Sequence, residues 1–94
     1  MTRVGRLSFK VISNMIYVRQ YVDIDSDIAW RFGSFNIDSL TFDVDGSSVC
    51  FKIGSGGNPS RTFKNLDKYS AAGFANKLFD AILEEQNKNQ MQIQ

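Results

Sequence analysis

The first half of the chain alternates apolar and polar residues with the two-residue period of a half-buried β-strand. Residues 7–12 follow this alternation, and Ser13-Asn14 then predicts a turn, because both residue types favour turn conformations. The alternation resumes over residues 16–24, where only Gln20 interrupts the apolar side. We therefore predict two strands joined by a tight turn.

An acidic bend and a third strand follow. Residues 25–27 carry side-chain oxygens that compete for backbone donors, which favours a bend. The alternation returns over residues 28–32, and the glycine and serine at residues 33–34 are expected to end the strand. The apolar side of this strand would consist of Ile28, Trp30 and Phe32.

The clearest local signal is a β-hairpin over residues 40–53. A two-residue turn at residues 45–46 would leave Val44 opposite Ser47, whereas a four-residue loop gives three apolar cross-strand pairs. Each such pair contributes roughly 0.2–1 kcal/mol, so the pattern favours the second register. Its pairs are Val44 with Val49, Phe42 with Phe51, and Leu40 with Ile53.

One helix is predicted in the last third of the chain. Residues 54–59 predict a flexible connection and residues 60–63 a short last strand. The helical pattern begins within residues 67–70, whose aspartate and serine can cap free backbone amides, and extends to about Gln86. Residues 87–94 are polar and predict a flexible tail. The core-facing stripe of the helix would contain Ala71 or Ala72, Ala75, Leu78, Phe79, Ile82 and Leu83.

These elements predict a single α+β domain over residues 1–86. We expect an antiparallel sheet of four to five strands with the C-terminal helix packed on one face. One helix covers one face of a sheet, which would leave the other face open to a partner. The face beneath the helix would carry Phe9, Val18, Trp30, Phe42 and Phe51.

Composition places the chain among ordinary folded sequences, because 43% of its 94 residues are hydrophobic and 22% are charged. Although the net charge is only +1, the basic and acidic residues are concentrated in different segments of the chain. Residues 1–22 hold four basic residues and no acid, giving +4, whereas residues 23–45 hold six aspartates and one arginine, giving −5. Such opposed segments could steer a partner of complementary charge, but the total argues against nonspecific binding of polyanions.

The residue types that carry most catalytic and metal chemistry are scarce. The sequence has no histidine and one cysteine, Cys50, which excludes histidine-based catalysis, histidine zinc sites and an intramolecular disulfide. Asp23, Asp25 and Asp27 are spaced like the start of a calcium loop, but Ile28 stands where that loop needs glycine. We therefore expect no enzymatic activity, no cofactor and no metal.

Signals for export or membrane insertion are not found in the sequence. The first residues lack the apolar run of a signal peptide, and no later run approaches the about 18 apolar residues that span a bilayer. Together with the single cysteine, this favours a cytoplasmic protein that makes no membrane contact.

The most informative motif is Tyr17-x-Arg19-x-Tyr21, which on a strand aligns two aromatic rings and a guanidinium on one face. Tyr and Arg are over-represented among the residues that dominate binding energy at interfaces. The same row could stack bases and neutralise phosphates, whereas many sheets carry such side chains and bind nothing. Further electrostatic contacts are expected from Arg3, Arg6, Lys10, Asp23, Asp25 and Asp27.

Two functions follow from this face. The first is a small non-enzymatic interaction protein, of the kind that phages and plasmids encode as inhibitors, which binds and blocks a larger protein or ribonucleoprotein complex. The second is a module that binds single-stranded nucleic acid. A homodimer formed through a sheet edge or the open face is a further expectation.

Overall fold

The computed structural model describes residues 1–53, 59–64 and 66–92, which form seven β-strands, one short 3-10 turn and one α-helix. The segment for which the sequence predicts a flexible connection lies, apart from Pro59, outside the described residues. In chain order the elements are β1 (Thr2–Val4), β2 (Leu7–Ile12), β3 (Met15–Tyr21), β4 (Ala29–Asn36), the 3-10 turn (Ile37–Ser39), β5 (Leu40–Asp45), β6 (Ser48–Ile53), β7 (Pro59–Phe63) and α1 (Lys68–Gln92).

The strands pair antiparallel throughout and divide between two sheets. The first sheet has the order β1-β2-β3-β4, and the second has the order β5-β6-β7. The predicted α+β class, with antiparallel strands and one C-terminal helix, is confirmed. The division falls at the 3-10 turn, where the Asn36 side chain accepts a hydrogen bond of 2.9 Å from the Asp38 N–H and so caps the turn.

Ser13 and Asn14 form the predicted turn between β2 and β3. Both have positive φ angles, 51° and 67°, which a two-residue type I′ turn requires at its two central positions. The Asn14 side chain also donates a 2.8 Å hydrogen bond to the carboxylate of Asp38. The turn sets the register in which Lys10 lies opposite Tyr17.

The register predicted for the β5–β6 hairpin is confirmed, with Phe42 opposite Phe51. The connecting loop is shorter than the predicted four residues, because Asp45 also pairs with Ser48 and leaves a two-residue turn. Gly46 makes this turn possible by adopting a φ of 61°. The apolar pattern therefore predicted the register correctly even though the loop length was wrong.

Strand β4 is longer than the sequence predicts, because Gly33 and Ser34 do not end it. The strand continues to Asn36. A Cβ atom on Gly33 would lie only 2.9 Å from two atoms of the Phe35 ring. Glycine at this position therefore lets an aromatic ring lie across the strand, which is a packing role and not a strand-ending one.

Strand β3 is shorter than predicted, since it ends at Tyr21. Gln20 pairs with Arg31, and the next pair joins Tyr21 to Ala29. Trp30 is therefore the extra residue of a β-bulge, but exposed and covered positions still alternate along β4, so Trp30 shares the outer face with Phe32. The prediction that Trp30 faces the helix is wrong, because its side chain is 53% exposed.

The core lies where the inner faces of both sheets meet the helix. Phe51 of β6 is fully buried at its centre. Phe35 of the first sheet stacks on Phe51 with ring centroids 4.7 Å apart, and Phe74 of α1 meets it edge-on at 6.4 Å. Phe63 of β7 adds a second edge-on contact at 5.8 Å. One ring thus joins both sheets and the helix.

The start of α1 agrees with the prediction, because Asp67 caps it by accepting a 3.2 Å hydrogen bond from the Ser70 N–H. The helix continues to Gln92, so the predicted end near Gln86 is wrong. Most of the polar segment 87–94 is therefore helical, and its last two residues lie outside the described part of the chain.

The buried stripe of α1 consists of Ala71, Phe74 and Leu78. The prediction that Phe79 and Leu83 belong to it is wrong, because these side chains are 55% and 43% exposed. Among the described residues, no helix is both long enough and apolar enough to cross a membrane.

Candidate functional site

The outer face of the first sheet points away from the helix and carries the predicted site. Tyr17 and Arg19 lie on this face of β3, and both side chains are exposed. The antiparallel register places Arg19 opposite Phe32 of β4, with the guanidinium carbon 6.0 Å from the ring centroid. The prediction that Tyr17 and Arg19 share one exposed face is confirmed.

Tyr21 does not belong to this exposed row, which corrects the prediction. Its side chain is only 8% exposed, and its hydroxyl lies 3.0 Å from the Oγ atom of the fully buried Ser8. Arg3 covers the ring, with the guanidinium carbon 3.8 Å from the ring centroid. Ser8 lies opposite both Arg19 and Arg3, so Tyr21 stays on the face of Arg19 and is buried because Arg3 of β1 covers its ring.

Arg3 holds the connection between β3 and β4. Its Nη2 atom donates hydrogen bonds to the backbone oxygens of Asp23 and Ile24, at 3.1 and 2.9 Å. Its Nε atom donates to the backbone oxygen of Gly5 at 3.0 Å, and Nη1 lies 3.7 Å from the carboxylate of Asp27. That carboxylate is fully exposed, so this ion pair contributes little. Arg3 therefore has a structural role within the chain.

Only one of the three basic residues predicted to extend the site reaches it. Arg6 donates a 3.2 Å hydrogen bond from Nε to the backbone oxygen of Tyr21, and Arg3 is engaged as described. Lys10 is exposed on β2 and lies opposite Tyr17. Lys10 therefore joins Tyr17 and Arg19, whereas Arg3 and Arg6 stabilise the sheet around Tyr21.

A cleft of about 540 Å³ opens on this face. Its described lining supplies three positive charges and two exposed aromatic rings and contains no acidic side chain. We call this surface the basic cleft and define it by Lys10, Tyr17, Arg19, Phe32 and Arg61. Such a lining suits a ligand that carries both negative charge and apolar or aromatic groups.

The local sequence pattern could not assign Phe32 and Arg61 to the cleft. Alternation placed Phe32 on the core side of its strand, but its side chain is 55% exposed. The signal that identifies it is non-local, because the residue opposite Arg19 must share the face of Arg19. Arg61 belongs to β7 in the second sheet, so only tertiary folding brings it to the cleft.

The connection over residues 22–28 forms a second exposed surface, which we call the acidic turn. The Val22 N–H donates a 2.9 Å hydrogen bond to the backbone oxygen of Ile28 and closes the turn. The described residues contain no group of three side chains placed to hold a metal ion. The acidic turn carries Asp23, Asp25 and Asp27 together with Val22, Ile24 and Ile28, whose exposures are 51%, 58% and 69%.

Comparison with known proteins assigns no relative to this chain. No family model, no curated protein and no solved structure matches it. Function is therefore inferred below from the basic cleft and the acidic turn.

Proposed function

We propose that this protein is a non-enzymatic interaction protein that binds a larger protein complex through the outer face of its first sheet. The observation that carries the proposal is the concentration of exposed apolar side chains on one hairpin. Of the eleven large hydrophobic residues that are exposed in the described part of the chain, six lie in β3, β4 or the acidic turn. Several exposed apolar side chains within one region are typical of interaction sites. The six are Tyr17, Val22, Ile24, Ile28, Trp30 and Phe32.

The chemistry of this face also supports a protein partner. Aromatic residues and arginine are enriched at the centres of protein interfaces. Here Tyr17, Trp30 and Phe32 are exposed on the same two strands as Arg19, whose guanidinium carbon lies 6.0 Å from the Phe32 ring centroid. The side chains on β3 and β4 project from paired strands, which reduces the entropy lost on binding.

The proposed mode of action is stoichiometric inhibition, as in the small inhibitors that phages and plasmids encode. Such a protein covers a functional surface of a larger complex and needs no chemistry of its own. The juxtaposition of the basic cleft and the acidic turn would orient the partner, since complementary charge patterns accelerate association and fix the docking register. The acidic turn favours a protein over a nucleic acid, because it would repel phosphates while its isoleucines stayed uncovered.

Affinity capture from the native cell tests this proposal. The site variant combines Tyr17→Ala, Arg19→Ala and Phe32→Ala, and the control combines Thr41→Ala with Lys52→Ala on the outer face of the second sheet. Thermal unfolding first establishes that both variants are folded. We expect wild type and control to retain the same complex, the site variant to lose it, and the activity of the captured complex to fall at a one-to-one ratio. Equal retention of that complex by the site variant would overturn the proposal.

A single-stranded nucleic-acid module is the second candidate, favoured by the acid-free lining of the basic cleft. Its three cations and two stacking rings could bind a short stretch of backbone and bases. Neutralising three phosphates predicts roughly 20-fold weaker binding between about 50 and about 200 mM salt. Fluorescence anisotropy with a labelled oligothymidylate and an oligouridylate decides this, because no binding at the lower salt eliminates the candidate.

A further inference from the structure

The basic cleft and the acidic turn are complementary to each other. The basic cleft offers three positive charges beside two exposed rings, and no acid is found in its described lining. The acidic turn offers three aspartates beside three exposed aliphatic side chains. Each surface therefore has the charge and the apolar groups that the other would need in a partner.

The acidic turn is held in one shape before any partner binds. The Arg3 side chain fixes two of its backbone oxygens, and the Asp23 carboxylate accepts a 2.7 Å hydrogen bond from the Ile24 N–H. The Ile28 N–H donates a 3.0 Å hydrogen bond to the Oγ atom of Ser26. Docking of the turn would therefore require little further ordering, which removes one of the main costs of association.

We propose that two copies of this chain associate face to face about a two-fold axis, with the acidic turn of each copy seated on the basic cleft of the other. Tyr17 and Ile24 are at most about 23 Å apart, taking 3.3 Å per residue for a fully extended chain, and β3 ends between them at Tyr21. The two-fold axis would pass near Arg19 and Tyr21, and the β3 strands of the two copies would run antiparallel. The acidic turn of each copy then lies over the basic cleft of the partner copy. Because the same patch serves both copies, the assembly closes as a dimer and does not grow further.

Exposed apolar side chains accompany the charges of both surfaces. Tyr17, Trp30 and Phe32 are exposed on β3 and β4, and Ile24 and Ile28 are exposed on the acidic turn. Self-association would bury them together while pairing Asp25 with Lys10 across the interface. Specific interfaces bury about 800 Å² on each partner, against a total accessible surface of 6011 Å² for this chain.

The dimer has a consequence for binding that rests on the proposed function. Self-association covers the face through which the protein would contact its partner, so the monomer is the binding form. Partner binding and dimerisation are then mutually exclusive. The total concentration of the chain sets the fraction that is monomeric and therefore able to bind the partner. The dimer itself does not depend on any partner and is tested on the purified protein alone.

Charge reversal at two contact-free residues tests the dimer. Asp25 and Lys10 are both exposed, and neither makes a hydrogen bond or ion pair among the described residues, so Asp25→Lys and Lys10→Glu leave the fold intact. In the proposed dimer each variant places like charges at both contacts, whereas a mixture of the two variants restores opposite charges at both. Asp45→Lys, the same substitution as Asp25→Lys at an exposed residue at the end of β5, is the control.

Sedimentation velocity over about 1 µM to about 1 mM protein gives the dissociation constants. We expect wild type and Asp45→Lys to dimerise alike, each reversed variant to dimerise at least about tenfold more weakly, and the equimolar mixture to recover to within about threefold of wild type. Wild-type dimerisation should also weaken as salt rises. Three results would each overturn the proposal. Wild type could be monomeric at every concentration, the reversed variants could have the same dissociation constant as wild type, or the equimolar mixture could dimerise as weakly as the single variants. Since no partner is involved, such a failure is distinct from failure of the capture experiment.

Discussion

Replacing Arg3 with alanine should destabilise the protein. The side chain donates three hydrogen bonds to backbone oxygens and covers the ring of Tyr21. Partly exposed hydrogen bonds contribute about 0.5 kcal/mol each, and a cation over an aromatic face adds about 0.5–1 kcal/mol. The ion pair with the fully exposed Asp27 is left out. We expect Arg3→Ala to lower the free energy of unfolding by about 2 kcal/mol.

Two further variants separate the causes of this loss. Arg3→Lys keeps the charge but lacks the planar fork that reaches the backbone oxygens of Asp23 and Ile24, so it should behave much like Arg3→Ala. Arg19→Ala removes an arginine from the same face, where its described contact is the 6.0 Å approach to Phe32, and should change stability by less than about 0.5 kcal/mol.

Urea unfolding followed by circular dichroism gives the stabilities, and hydrogen exchange shows where the structure loosens. The amide of Val22, which is bonded to the backbone oxygen of Ile28, should exchange faster in Arg3→Ala than in wild type. If Arg3→Ala is as stable as wild type, or if Arg3→Lys is, the role assigned to the guanidinium geometry is wrong.

Three further changes test the core and the strand irregularities by the same urea assay. Phe51→Ala removes the ring that joins both sheets to the helix and should cost about 3–5 kcal/mol; a loss below about 1 kcal/mol would contradict its central position. Gly33→Ala puts a Cβ 2.9 Å from the Phe35 ring and should lower the free energy of unfolding by about 1–3 kcal/mol. An unchanged midpoint of the urea transition would mean that the Phe35 ring can move away without cost. Tyr21→Phe removes the hydroxyl bonded to buried Ser8 and should cost about 1 kcal/mol, and no loss would show that this hydrogen bond contributes nothing.

The parts of the fold that were predictable from sequence are those in which neighbouring residues determine the outcome. The register of the β5–β6 hairpin follows from matched apolar positions on two adjacent strands, with Phe42 opposite Phe51. The turn at Ser13-Asn14 follows from residue types that tolerate positive φ. The start of α1 follows from the capping carboxylate of Asp67. Each of these depends on contacts that are short in sequence.

The parts that were not predictable depend on contacts between distant segments. Helical spacing alone allowed Ala75 and Phe79 in the buried stripe, whereas the position of α1 between two sheets selects Phe74. The bulge at Trp30 is visible only once β3 and β4 are paired. Arg61 reaches the basic cleft from the second sheet, and no pattern around residue 61 indicates this. For the candidate site, Tyr17, Arg19 and Lys10 were therefore predictable and Phe32 and Arg61 were not.

Apolar side chains are exposed at this end of the molecule. Strand β3 buries Val18, whereas the chain leaves the ladder after Tyr21, and Ile24 and Ile28 are exposed. The helix packs chiefly on β1, β2, β5 and β6, so it does not cover the end of the β3–β4 hairpin. Covering one such side chain fully is worth about 1.5–3 kcal/mol, and a turn that served stability alone would carry polar residues instead. In the intermolecular contacts proposed above, the isoleucines and Trp30 would be buried, and that burial would contribute to the free energy of binding.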